Sequence, residues 1–156
     1  MTQAATSTPC FVAGLVAAAY VRANTKYDLG AKGMPGTKSD CSGLVSQSYP
    51  GIGVGTGAQH DNTALVSFEN MKDGDLAFMT TQPNKPLGHV GLIGGVTHDK
   101  DGKLTGFNVT HMSSTRNAVT DHQEVKNGVI QPRIGTGLRN VFREVRTWKP
   151  ETDPPR

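Results

Sequence analysis

The chain reads as an α+β protein, with N-terminal helices packed on a central antiparallel sheet. Two observations predict this class. The helical patterns come first and are followed by apolar stretches joined by short turns, and short turns between successive strands require antiparallel pairing. The composition agrees: 19 glycines and 9 prolines in 156 residues supply many turns and argue against a helix bundle. That length supports one compact unit, taken here as residues 1–150, with residues 151–156 as a disordered tail.

The elements follow in order. Thr8 and Pro9 make a helix start, threonine as N-cap and proline at the first helical position, and the first helix should run to about Arg22. Residues 23–40, rich in Gly, Lys and Pro, form a loop that delivers the chain to Asp40. A second helix begins near Cys41 and stops before Pro50. "GIGVGTG", residues 51–57, lacks the Lys-Ser/Thr ending of a phosphate loop and follows no strand, so it reads as a flexible connection. Residues 58–68 suggest a short helix, and residues 72–79, 88–96, 106–112 and 138–148 suggest strands.

Composition excludes several functions. The net charge of +3 is small, and the basic residues Arg133, Arg139, Arg143, Arg146 and Lys149 have no interleaved aromatic ladder, so nucleic acid is not expected. The two cysteines, Cys10 and Cys41, make no disulfide framework, and without C-x-x-C spacing no structural metal is expected. No run approaches the roughly 18 apolar residues of a membrane span. No Lys or Arg precedes the first apolar stretch, the reverse of a secretory signal. Delivery outside the general secretory route is therefore expected for any role beyond the cytoplasm.

The chemistry centres on "KSDCSGLVSQSYP", residues 38–50. Asp40 as cap places Cys41 in the first turn, where unpaired N–H groups and the helix dipole favour a thiolate. Small neighbours, Ser42 and Gly43, leave room for a carbonyl, and the Cys41 amide is placed to stabilise an oxyanion. A packed core cysteine is the alternative. A nucleophile also needs a base, and among His60, His89, His98, His111 and His122 only His89 opens an apolar strand, "HVGLIGG". His60 and His98 read as surface residues.

"YDLGAKG", "SDCSGLV", "DGDLAFM", "GHVGLIGG" and "VTHMSS" occur in that order over residues 20–115. This series resembles the NlpC/P60 cysteine peptidases. The resemblance implies a papain-like α+β fold and, with no cofactor, cleavage of peptidoglycan stem peptides, commonly between D-glutamate and a diamino acid. It implies Cys41 as nucleophile, His89 as base and His111 as the third catalytic residue, with Tyr27, Asp40 and Ser42 contacting substrate. It also implies action in the periplasm or cell wall after synthesis in the cytoplasm. A small unanchored enzyme of this kind is similar to type VI secretion amidase effectors, whose partner would be a cognate immunity protein, or to phage lysis and tail enzymes. A non-catalytic binder of wall peptides is the remaining alternative.

His111 has support of its own. "DKDGK" suits a three-residue hairpin loop, Lys100, Asp101 and Gly102, with glycine left-handed. Gly91 then faces His111 and His89 faces Ser113. The two histidines become diagonal neighbours on one face, about 7 to 8 Å apart at the backbone. A two-residue loop would put them on opposite faces. His122, in the polar and loop-like "VTDHQEV", is the rival third residue. As a neutral imidazole, His111 should hold the His89 ring more than it stabilises charge.

Overall fold

The computed structural model describes residues 9–80, 88–131 and 141–149. The expected Thr8 cap and the tail at 151–156 lie outside these residues. Helix α1 (Pro9–Arg22) precedes a two-stranded parallel pair, β1 (Lys26–Tyr27) and β2 (Lys38–Ser39), inside the segment expected to be loop. Helix α2 (Cys41–Ser48) starts at the cysteine as expected. The single helix expected over 58–68 is instead α3 (Thr56–Asp61), strand β3 (Ala64–Val66) and a 3-10 turn (Phe68–Asn70). Strands β4 (Leu76–Thr80), β5 (His89–His98), β6 (Leu104–Ser113), β7 (Asn117–Lys126), β8 (Val129–Gln131) and β9 (Val141–Thr147) complete the order.

Among the described residues seven strands form one antiparallel sheet in the order β3-β9-β4-β5-β6-β7-β8. Period-2 alternation divides its apolar residues between two cores. On one face, Leu76, Phe78, Val90, Leu92 and Met112 meet the helices. Helix α1 offers Ala13, Ala17 and Tyr20, spaced to form one stripe, and α2 offers Leu44 and Val45. On the other face, Ala77, Met79, Ile93, Phe107, Val109, Val125 and Val145 close over Met71. There Phe68, Phe107 and Phe142 pack edge to face with centroids 5.7 to 6.0 Å apart. Each fully buried Phe or Leu contributes roughly 2 kcal/mol by removal from water. Among the described residues no helix is long and apolar enough to cross a membrane.

Strand β7 occupies residues read from the sequence as polar and loop-like, and β8 follows it. Their turn is Asn127-Gly128 with φ of 54° and 79°, the left-handed pair that a two-residue hairpin loop requires. β7 is polar on both faces, because Asp121 and Gln123 alternate inward with Val125 while His122 and Glu124 are exposed.

The β5–β6 hairpin has the expected register over the site: Leu92 pairs with Thr110, and Ile93 with Val109. Asp99 N–H donates to Lys103 O, Gly102 N–H donates to Asp99 O, and Gly102 sits at φ +82°. Irregularities between Gly94 and His98 leave the register unchanged at either end.

Candidate active site

Asp40 makes the start of α2. Its backbone is extended, and its Oδ1 accepts from the Gly43 N–H at 2.8 Å and from the Ser42 hydroxyl at 3.2 Å. Its Oδ2 accepts from the Gly30 N–H at 3.0 Å and from the Lys32 ammonium. Burial alone would raise this carboxyl, but the Lys32, Gly43 and Gly30 donors outweigh it and hold Asp40 below the usual range. One carboxylate thus ties the loop before the helix to its first turn. Gly43 permits that approach, since a Cβ there would lie 2.3 Å from Ser39 Oγ and 2.9 Å from Ala31 O.

Cys41 is free of any disulfide and 8% exposed. Its Sγ lies 4.0 Å from Gly88 O, so the sulfur sits beside the residue that precedes His89. The Thr56 hydroxyl is 3.7 Å away on the other side. The thiol is nonetheless not the ready thiolate that its helix position suggests. Burial raises its pKa, and the Asp40 charge adds to that, against lowering by the Thr56, Val90 and Ser42 donors.

Thr56 comes from the segment read as a flexible connection. Gly51, Gly53 and Gly55 all have positive φ, and the buried Gln59 amide donates to Ser42 O and Gly53 O at 2.9 and 3.0 Å. These bonds fasten the loop to the first turn of α2 and bring Thr56 to the sulfur.

His89 is 7% exposed, and its Nε2 is 2.8 Å from His111 Nδ1, the rings perpendicular at a centroid distance of 4.9 Å. Gly91 between them on the face is what lets His111 approach: a Cβ there would meet Val109 Cγ1 at 2.5 Å and His111 Cβ at 3.0 Å. Burial, with His111 pushing the same way, lowers His89 from 6.5 to about 3, so its resting ring is neutral.

His111 has further partners behind it. His111 Nε2 is 2.9 Å from Asp121 Oδ2, and Asp121 is held by both terminal nitrogens of Arg116 at 2.7 Å. Burial opposes ionisation of Asp121, yet the Arg116 and His111 bonds bring it down to about 2. The rival His122 points away and bonds Asn108 Oδ1 at 2.7 Å on the exposed side. His98 is exposed as expected, whereas His60 joins α3 to β9 through Glu144 at 2.8 Å.

Sequence reasoning missed Thr56, Asp121 and Arg116. Asp121 was within reach of the arithmetic used for His111. In the β6–β7 register Ser113 pairs with Asn117 and Val109 with Asp121, which puts Asp121 diagonal to His111 on the same face.

Of the expected substrate contacts, Asp40 has both oxygens engaged and Ser42 is buried with its hydroxyl on Asp40. In the structure they hold the turn that carries Cys41. Tyr27 is half-buried against the core that contains Cys41, its amide bonded to Asn117 Oδ1 at 3.0 Å. Burial and then the Cys41, Asp40 and Asp28 charges raise its hydroxyl above the ordinary value.

Comparison with known proteins agrees with this fold. A solved protein described as similar to lipoprotein, NLP/P60 family, from Staphylococcus aureus subsp. aureus Mu50 shares the fold at 18% identity and a TM-score of 0.58. The match covers 90% of this chain and 41% of that one, so the chain spans less than half of that relative's length. The NlpC/p60 domain of peptidoglycan hydrolase SagA is 23% identical, with a TM-score of 0.48, over 69% of this chain and 86% of that one. No curated protein matches the chain. The sequence model of the NlpC/P60 family matches residues 24–134, a span that contains Cys41, His89 and His111. With that match over well more than half of its length, the chain belongs to the NlpC/P60 family.

Proposed function

We propose that this protein is a cysteine hydrolase that cleaves amide bonds of peptidoglycan stem peptides through an acyl-enzyme on Cys41. One observation carries the reading: the Cys41 sulfur at the start of α2 lies 4.0 Å from Gly88 O, beside His89, while His111 holds the His89 ring. Family membership supplies the substrate class.

His89 Nε2 is engaged by His111, so Nδ1 is the nitrogen available to the thiol. The resting pair is thiol and imidazole, because burial raises one and lowers the other. Proton transfer therefore accompanies attack. The Sγ–H proton passes to His89 Nδ1 as sulfur bonds the carbonyl carbon, and the oxyanion is met by the Cys41 amide at the helix start. Collapse breaks the C–N bond, with the proton delivered from His89 to the departing amine. A water deprotonated by His89 then opens the thioester, releasing a carboxylate and restoring the thiol.

Digestion of purified cell walls tests this. Wild type should release new amino termini, and Cys41→Ala should reduce release at least ~1,000-fold; undiminished release by the variant would sink the reading. Mass spectrometry of the products reads the bond, which we assign to D-glutamate and the diamino acid.

The proposed substrate favours action in the periplasm or cell wall after synthesis in the cytoplasm. An antibacterial effector role would need a cognate immunity protein over the Cys41 cleft. Toxicity seen only on periplasmic targeting, and relieved by a neighbouring gene, supports that role; lysis from the cytoplasm only with a holin assigns the protein to phage lysis instead.

A further inference from the structure

The buried chain behind His89 does not end at His111. It continues through Asp121, 4% exposed, to Arg116, whose side chain is 36% exposed, every link lying between 2.7 and 2.9 Å. None of these links is redundant for the others. Asp121 Oδ1 meets one guanidinium nitrogen, and Oδ2 meets the second together with His111.

We propose that the Arg116–Asp121 pair is the positioning end of this relay and that it sets the tautomer of both imidazoles, leaving His89 Nδ1 unprotonated as the base. The inference rests on the hydrolase reading only in naming what the base is for. The argument runs from donors and acceptors. A guanidinium can only donate, so the Asp121 oxygens it grips must accept. An ionised carboxylate has no proton to give His111, so His111 must donate from Nε2. A neutral His111 then has a bare Nδ1 and can only accept from His89, which must place its own proton on Nε2. The remaining His89 nitrogen, Nδ1, is bare. Without the carboxylate the opposite polarity satisfies the histidine pair equally well, and in that state Nδ1 carries a hydrogen and cannot take the thiol proton.

The bidentate Arg116 grip has a second effect. It keeps Asp121 ionised although burial opposes this, and the carboxyl lies at about 2, so the polarity does not switch over the range in which a wall enzyme works. Asp121 is thus argued to act through His111 and His89 and not on substrate.

The test is nitrogen-15 NMR of the imidazoles of the full chain near neutral pH, without substrate. Wild type should show His89 and His111 each protonated on Nε2 and bare on Nδ1. Asp121→Leu should turn both rings into tautomer mixtures and lower kcat for wall-peptide hydrolysis by ~100-fold with KM little changed. Arg116→Lys keeps a cation beside the carboxylate and should keep the wild-type tautomers. A wild-type His89 protonated on Nδ1, neutral or as imidazolium, overturns the proposal, as does a folded Asp121→Leu whose tautomers are unchanged. If Asp121→Leu does not fold, the wild-type spectrum decides. The spectrum needs no substrate. Wild-type tautomers as proposed in a protein that cuts no wall peptide would sink the hydrolase reading alone, and hydrolysis with the opposite tautomer would sink this inference alone.

Discussion

Asp40 and Asp121 are both buried carboxylates paired with a cation, Lys32 in one case and Arg116 in the other, and each stands behind one half of the site. Asp40 acts on backbone: it caps α2, fixes the loop at Gly30 and so decides where Cys41 sits. Its charge works against the thiolate, since it helps raise the Cys41 thiol. Asp121 reaches His89 only through the His111 ring, with its bond aimed at a ring nitrogen. A carboxylate beside Cys41 thus places it at an electrostatic cost, whereas one set behind the His111 ring can orient His89 without opposing a thiolate at short range.

The largest effect should come from breaking the first half. Asp40→Ala removes the cap and leaves the Lys32 ammonium and the Gly43 and Gly30 amides without their partner. It should cost about 2 to 3 kcal/mol in urea unfolding. Unchanged stability would mean that the first turn of α2 is held by something else.

The second half can be broken without touching a charge. Gly91→Ala puts a methyl 2.5 Å from Val109 Cγ1 and 3.0 Å from His111 Cβ. It should destabilise by about 2 kcal/mol and separate His111 from His89, seen as loss of the ring–ring contact by NMR. Gly94→Ala is the control on the same strand, because its Cβ would meet nothing within 4 Å. Equal effects from the two variants would contradict the packing argument.

The acid sensitivity of His89 gives a third test. His89 is lowered in the fold to about 3 from 6.5, so between these values the unfolded chain binds a proton that the native one refuses. Stability is therefore full above about pH 6.5 and falls as the pH drops toward 3. Asp121 adds to the fall only below its ordinary 3.8. His89→Gln should flatten the upper part of that decline in a series of urea titrations; an unchanged slope would show that His89 is not buried neutral.

The two hairpins show what was legible in the sequence. Over β5–β6 the loop "KDG" carries its conformation in its residues, because Gly102 must be left-handed, and the register followed two residues at a time to His111. Over β6–β7 the turn at residues 114–116 has no glycine and is finished by Asn117 at φ 67°, a weaker signal. The strand after it was masked by its own polarity: inward Asp121 and Gln123 read as loop because burial of a charge depends on Arg116 and His111 arriving from elsewhere. For the same reason the helix start at Cys41 was legible from Asp40, but the burial that raises its thiol was not. That burial comes from the loop that carries Thr56 and from the start of β5, both distant in sequence.

The central claim is that Cys41 attacks the amide carbonyl. Acid quenching during turnover of a defined stem peptide, followed by intact-mass and peptide mapping, tests it most directly. The account predicts an acyl adduct on the peptide containing Cys41 in the wild type, accumulating less in His89→Ala and absent in Cys41→Ala. Continued hydrolysis by Cys41→Ala, or an adduct confined to another residue, would contradict it.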